Sequence, residues 1–210
     1  MKRLLIVRHG DTFLPGEPPR RIGAHTDLPL TPRGETQARE VGAWLHARDI
    51  QPDLILAGPL QRAAGTARLI LAALPSACPL GEAAWLNEVD YGPDEGRPEA
   101  EVVERVGVDA LARWDRSAEP APGWPIDTAT TIVECRAGVA ALPGGTTLLV
   151  TSNGTARFIL MALGLASTRP SLKLRTGAIG EVEIAGEGAR LRCWDHRPGD
   201  GDGDGRPDRK

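Results

Sequence analysis

Leu4-Leu5-Ile6-Val7-Arg8-His9-Gly10 sets four apolar residues directly before a guanidinium and an imidazole. An unbroken apolar run of this length marks a strand covered on both faces, as at the centre of a parallel sheet. Open α/β sheets bind ligands just beyond the carboxyl ends of their strands. Arg8 and His9 stand at such an end, and a cation beside a nucleophilic ring suits a phosphate group.

Outward from this stretch, short β-rich runs alternate with helical patterns. Strands are expected at Lys2–Val7, Asp53–Ala57, Ala83–Leu86, Thr146–Thr151, Ala178–Ile184 and Arg190–Trp194. Thr31 offers an N-cap with Pro32 at the first helical position, and Ala38, Val41 and Leu45 then recur at helical spacing to about residue 48. Leu60, Ala63, Ala67, Ile70 and Leu74 do the same up to Pro75, and further helices are expected over Glu99–Trp114, over Thr128–Leu142 and after Gly154. This order of elements gives an α/β protein, a three-layer α/β/α sandwich around a largely parallel central sheet. Phe13–Pro29 reads as a loop over the sheet end, and Ala118–Pro125, with three prolines, as a surface connection or lid.

The chain has 210 residues, 41% of them hydrophobic, with a formal charge of -3. That length carries one domain, expected over residues 1–197, followed by a Gly/Asp-rich tail, 198–210, expected to be disordered. The Asp200-x-Asp202-x-Asp204-Gly205 spacing imitates a calcium loop but lacks its closing Glu. No basic stripe points to nucleic acid, and no apolar segment is long enough for a membrane span or signal peptide, so a cytoplasmic protein is expected. Cys78, Cys135 and Cys193 are too scattered for a disulfide framework or a zinc site.

Other strand ends supply partners for His9. Gly58-Pro59-Leu60-Gln61-Arg62 places a second cation near a helix start, Leu86-Asn87-Glu88 a carboxyl group, and Ser152-Asn153-Gly154 a small polar turn. Singly, each has an ordinary reading: a turn, a surface ion pair, a solvated glutamate. Their common placement at one sheet edge is what makes them a candidate site.

These blocks resemble the histidine phosphatase superfamily, also called phosphoglycerate mutase-like, over about Lys2–Trp194. The resemblance rests on Arg8-His9-Gly10-Asp11-Thr12, on Asp27-Leu28-Pro29-Leu30-Thr31-Pro32-Arg33-Gly34, on Gly58–Ala67 and on Leu86-Asn87-Glu88-Val89-Asp90-Tyr91-Gly92 through Glu95-Gly96. It implies that His9 attacks phosphorus in line, that Arg8 and Arg62 neutralise the nonbridging oxygens, and that Glu88 protonates the leaving oxygen, with no metal or other cofactor. The expected partner is a small phosphorylated substrate or ligand.

One position departs from the family. A second active-site histidine is expected after the fourth strand, where this chain reads Asn153-Gly154. An amide still donates N–H groups to phosphate, but without charge assistance. Loss of one good transition-state donor costs about a hundredfold to a thousandfold in rate. His25, in the Pro-rich loop, is the residue to test for compensation. The reading that results is a phosphomonoester hydrolase with attenuated activity. The alternatives are a non-catalytic phospho-ligand binding or regulatory protein and, disfavoured by the short chain, a phosphoglycerate mutase.

Overall fold

Leu4, Leu5, Ile6 and Val7 have no solvent exposure in the computed structural model, which describes residues 1–186 and 188–200. They belong to β1 (Lys2–Arg8), which lies in a six-stranded sheet with β2 (Leu54–Ala57), β3 (Leu80–Glu82), β4 (Gly145–Thr151), β5 (Ile179–Ala185) and β6 (Gly188–His196). The sheet order is β3-β2-β4-β1-β5-β6. Pairs β1–β4, β2–β3 and β2–β4 are parallel, whereas β5 runs antiparallel to β1 and to β6.

Because side chains alternate along a strand, β1 feeds two cores. Leu5 and Val7 join Ile55, Leu148 and Val150 beneath Val41 and Leu45 of α1 (Pro32–His46) and Ala63, Ala67 and Ile70 of α2 (Gln61–Ala72). Leu4 and Ile6 join Leu149 on the opposite face. There they meet α3 (Glu99–Val106), α4 (Val108–Ser117), α5 (Thr128–Ala141) and α6 (Asn153–Ala162) through Val102, Trp114, Val139 and Phe158 among others. The expected three-layer α/β/α architecture is the one observed.

Two expectations need correction. Ala83–Leu86 is not the third strand; the strand is Leu80–Glu82, and Ala84–Leu86 forms a 3-10 turn. Trp85 reads as apolar because it packs on α5, where its ring occupies the space a Cβ on Gly138 would need. Glu99–Trp114 is not one helix but two, broken at Gly107, whose φ of +81° is open to glycine and strained for other residues. Ala118–Pro125 is the expected surface connection: Glu119, Pro122, Gly123 and Pro125 are exposed, while Ala118, Ala121 and Trp124 are buried and anchor it, Trp124 Nε1 donating to Asp94 at 2.7 Å.

The three cysteines are unpaired. Among the described residues no helix is long and apolar enough to cross a membrane. The acidic spacing at 200–204 lies almost wholly outside the described residues.

Candidate active site

The strands β1, β2 and β4 point their carboxyl ends to one edge, and the residues following β1 and β4 are tied together there. The His9 N–H donates to the Thr151 carbonyl at 3.0 Å. The next turn closes on α1: a Cβ at Gly10 would lie 2.2 Å from the Gly34 carbonyl oxygen, and one at Gly34 would lie 2.2 Å from that of Asp11. Only two glycines allow that approach. Thr31 caps α1 by accepting the Gly34 N–H at 3.1 Å and donates its hydroxyl to the Asp11 carbonyl, also at 3.1 Å.

His9 is buried, and its Nδ1 lies 2.8 Å from the Gly10 carbonyl oxygen. A carbonyl only accepts, so Nδ1 carries the proton and Nε2 of the neutral ring keeps its lone pair. Burial first, then the charges of Arg62 and Arg8, hold the imidazole pKa well below its ordinary value, against an opposing pull from the Gly10 bond. The ring is therefore held in its neutral form, with the Nε2 lone pair free.

Arg8 donates from Nη1 to the Leu174 carbonyl at 2.8 Å. The same residue's N–H donates to Asn153 Oδ1 at 2.8 Å, so a single residue, Leu174, orients both side chains. The Asn153 amide nitrogen has no protein partner among the described residues. Glu88 is buried against the start of α6: Oε1 accepts from the N–H groups of Val89 (2.9 Å) and Thr155 (3.2 Å), and Oε2 from that of Gly154 (3.1 Å). A Cβ at Gly154 would come within 2.4 Å of Oε1, which is why a glycine follows Asn153.

A cleft of about 600 Å³ is lined by Arg8, His9, Glu88 and Asn153 together. Arg62 is fully buried and does not line the cleft, although its charge acts on His9. Its Nη1 donates to the Thr26 carbonyl at 2.5 Å and its Nη2 to that of Gly23 at 3.1 Å, while Nε has no partner. His25 stands outside the cleft lining, with its side chain 74% exposed and Nε2 3.4 Å from Asp90. It does not share the cleft with Asn153. His25, Asp90 and Glu95 could bring three ligand atoms within 4.8 Å of one another, but Glu95 and Asp90 already accept backbone N–H bonds.

Sequence reasoning did not single out several lining residues. Tyr91 is buried at the cleft, edge-on to Trp114 and Trp124, with the Arg21 guanidinium 5.1 Å from its ring centre. Burial, reinforced by Glu88, raises its phenol pKa, so the hydroxyl stays protonated. Lys173, Arg175 and Thr176 come from the irregular segment before β5. The alternation Leu172-Lys173-Leu174-Arg175 was the available signal, with the leucines buried and the cations turned outward.

With this geometry in view, the likeness to known proteins is extensive. The chain is 34% identical over 170 residues to the 2,3-bisphosphoglycerate-dependent phosphoglycerate mutase 2 of Gloeobacter violaceus, covering 78% of this chain and 76% of that protein. To the 2,3-bisphosphoglycerate-dependent phosphoglycerate mutase of Treponema pallidum it is 33% identical over 124 residues, 57% of this chain and 47% of the other. The chain thus spans about half the length of several curated relatives it matches. Among solved structures, the alpha-ribazole phosphatase from Shigella flexneri superposes with a TM-score of 0.67 at 25% identity, over 93% of this chain and 96% of that one. The sequence profile of the histidine phosphatase superfamily (branch 1) matches residues 4–197, and this chain belongs to that superfamily.

Proposed function

We propose that this protein is a phosphomonoester hydrolase working through a phosphohistidine at His9, with turnover attenuated by Asn153. The observation that carries the reading is the Nδ1 contact to Gly10, which leaves an Nε2 lone pair in the same cleft as Arg8 and Glu88. Nε2 attacks phosphorus as the bond to the leaving oxygen breaks, and Glu88 gives that oxygen a proton. In the second half, Glu88 takes a proton from water as the water oxygen attacks phosphorus and the N–P bond breaks. Oε2 accepts one N–H bond where Oε1 accepts two, so Oε2 has the lone pair for this proton.

Arg8 neutralises the transferring oxygens in the cleft, with the charge of the buried Arg62 close by, which makes the chemistry independent of a metal in this reading. Asn153 takes the place where the superfamily carries its second histidine, and its unpartnered amide nitrogen serves as a neutral phosphate ligand. The expected substrate is a small phosphorylated molecule. A second reading, phosphoglycerate mutase, draws on the mutases among the relatives.

The test is steady-state turnover of a panel of phosphomonoesters, with His9→Ala as the control for contaminating activity. Wild type should exceed that control, and Asn153→His should raise kcat by up to about a hundredfold to a thousandfold. Turnover equal to the His9→Ala background would leave a phospho-ligand binding protein. Isomerisation of phosphoglycerates faster than phosphate release would favour the mutase.

A further inference from the structure

Arg62 is held in an unusual way for a buried cation. No carboxylate lies within ion-pair distance of it among the described residues; its two terminal nitrogens donate to the carbonyls of Thr26 and Gly23. Both carbonyls belong to residues 23–27, a stretch with no helix or strand of its own. The hydrogen bonds that orient the Arg62 guanidinium are therefore anchored on that loop.

Glu95 fixes the loop. Its Oε1 accepts from the His25 backbone N–H at 2.6 Å and from the Thr26 hydroxyl at 2.8 Å. Its Oε2 is shielded from solvent without a hydrogen-bond partner, and a Cβ on Gly23 would lie 2.5 Å from it. The backbone of Gly23 thus rests directly on the carboxyl group. Leaving a carboxylate oxygen dry and unpaired is costly, and the bonds made by Oε1 have to offset that cost. Two further ties flank this one: the Ala24 N–H donates to the Val89 carbonyl at 3.0 Å, and at the far end of the loop Asp27 accepts the Gln61 N–H at 2.7 Å and the Gln61 amide at 3.1 Å, leaving Glu95 as the side chain that holds residues 25 and 26.

We propose that Glu95 is a positioning residue for phosphoryl transfer, acting through residues 23–27 to hold the Arg62 guanidinium beside His9. The inference rests on the hydrolase reading, but one arm of its test does not need turnover. Glu95→Ala should lower kcat/KM by about tenfold to a hundredfold, the scale of a misplaced catalytic group, whereas Glu95→Gln keeps an acceptor for both donors and should retain most activity. In an Arg62→Ala background, Glu95→Ala should cost less than about twofold more, because its route of action is gone.

The second arm follows His9 by NMR titration. A loosened Arg62 disfavours imidazolium less, so His9 in Glu95→Ala should titrate at higher pH than in wild type, and the two should coincide when Arg62 is absent. Should Glu95→Ala not fold, Thr26→Val removes one of the two donors and should show a smaller change with the same dependence on Arg62. Equal losses with and without Arg62, or an unmoved His9 titration, would overturn the proposal. Absence of turnover in wild type would sink the hydrolase reading and leave the titration to decide the role of Glu95.

Discussion

The Nδ1 proton of His9 goes to the Gly10 carbonyl, and the surroundings of the ring resist a second proton: burial most, then Arg62 and Arg8. This has a cost that depends on pH. In the unfolded chain a histidine takes up a proton near pH 6.5. Between that value and the lower pKa of the folded ring, the unfolded state binds a proton that the folded state refuses, so stability falls as the solution is acidified through this window. The slope is about 1.4 kcal/mol per pH unit within it. Urea midpoints measured at several pH values below about 6.5 should therefore fall faster for wild type than for His9→Gln. Parallel curves would show that the imidazole is protonated in the folded protein. Asn153, by contrast, adds no titrating group to the cleft, and its geometry is set by the same residue, Leu174, that orients Arg8.

At the scale of elements, the start of α1 is packed directly on the turn that follows β1. Thr31 satisfies the Gly34 N–H and also reaches back to the Asp11 carbonyl, joining the turn after β1 to the helix. Thr31→Val keeps the shape and removes both bonds; it should destabilise the protein by about 1–2 kcal/mol, read as a lower urea midpoint. A midpoint unchanged within error would mean water replaces the hydroxyl at no cost. The cap was legible in the sequence because capping is local: Thr31-Pro32 and the apolar spacing suffice. So was the central strand, since four consecutive apolar residues buried on both faces have few other uses. The third strand was not legible, because Leu80–Glu82 owes its form to pairing with β2, and the apolar character of Trp85 and Leu86 comes from packing on helices. Gly107 carried its break in plain view, but apolar positions on both sides kept helical spacing across it. In the site, the residues next to strand ends could be picked out one by one. The support of Arg62 could not, since Glu95 meets His25 and Thr26 about 70 positions away in the chain.

For the whole molecule, charge is unevenly placed. The chain carries a net charge of -3, yet the cleft is lined by seven cations, Arg8, Arg20, Arg21, Arg33, Lys173, Arg175 and Arg197, against four carboxylates, Asp11, Glu88, Glu99 and Asp115. Four of the seven are partly neutralised: Arg20 by Glu17, Arg21 by Glu99, Arg33 by Asp11, Arg175 by Asp195 and Asp200. Besides Arg8, two are less so. Arg197 donates to the Thr176 carbonyl at 2.8 and 3.1 Å and to its hydroxyl, with no carboxylate partner among the described residues, and Lys173 is 56% exposed with Asp115 3.7 Å away. A cleft with an excess of cations in a protein of net negative charge focuses the field and raises the encounter rate of a phosphate dianion. Salt screens this at range, with a Debye length of about 10 Å at 0.1 M. The kcat/KM for a phosphomonoester should therefore fall about threefold to tenfold between roughly 50 and 500 mM KCl, with kcat nearly constant. Replacing both Lys173 and Arg197 by alanine should flatten that dependence, lowering kcat/KM at low salt towards the wild-type value at high salt. A slope unaltered by the double substitution would place the attraction deeper, on Arg8 and Arg62, and remove any steering role from the rim.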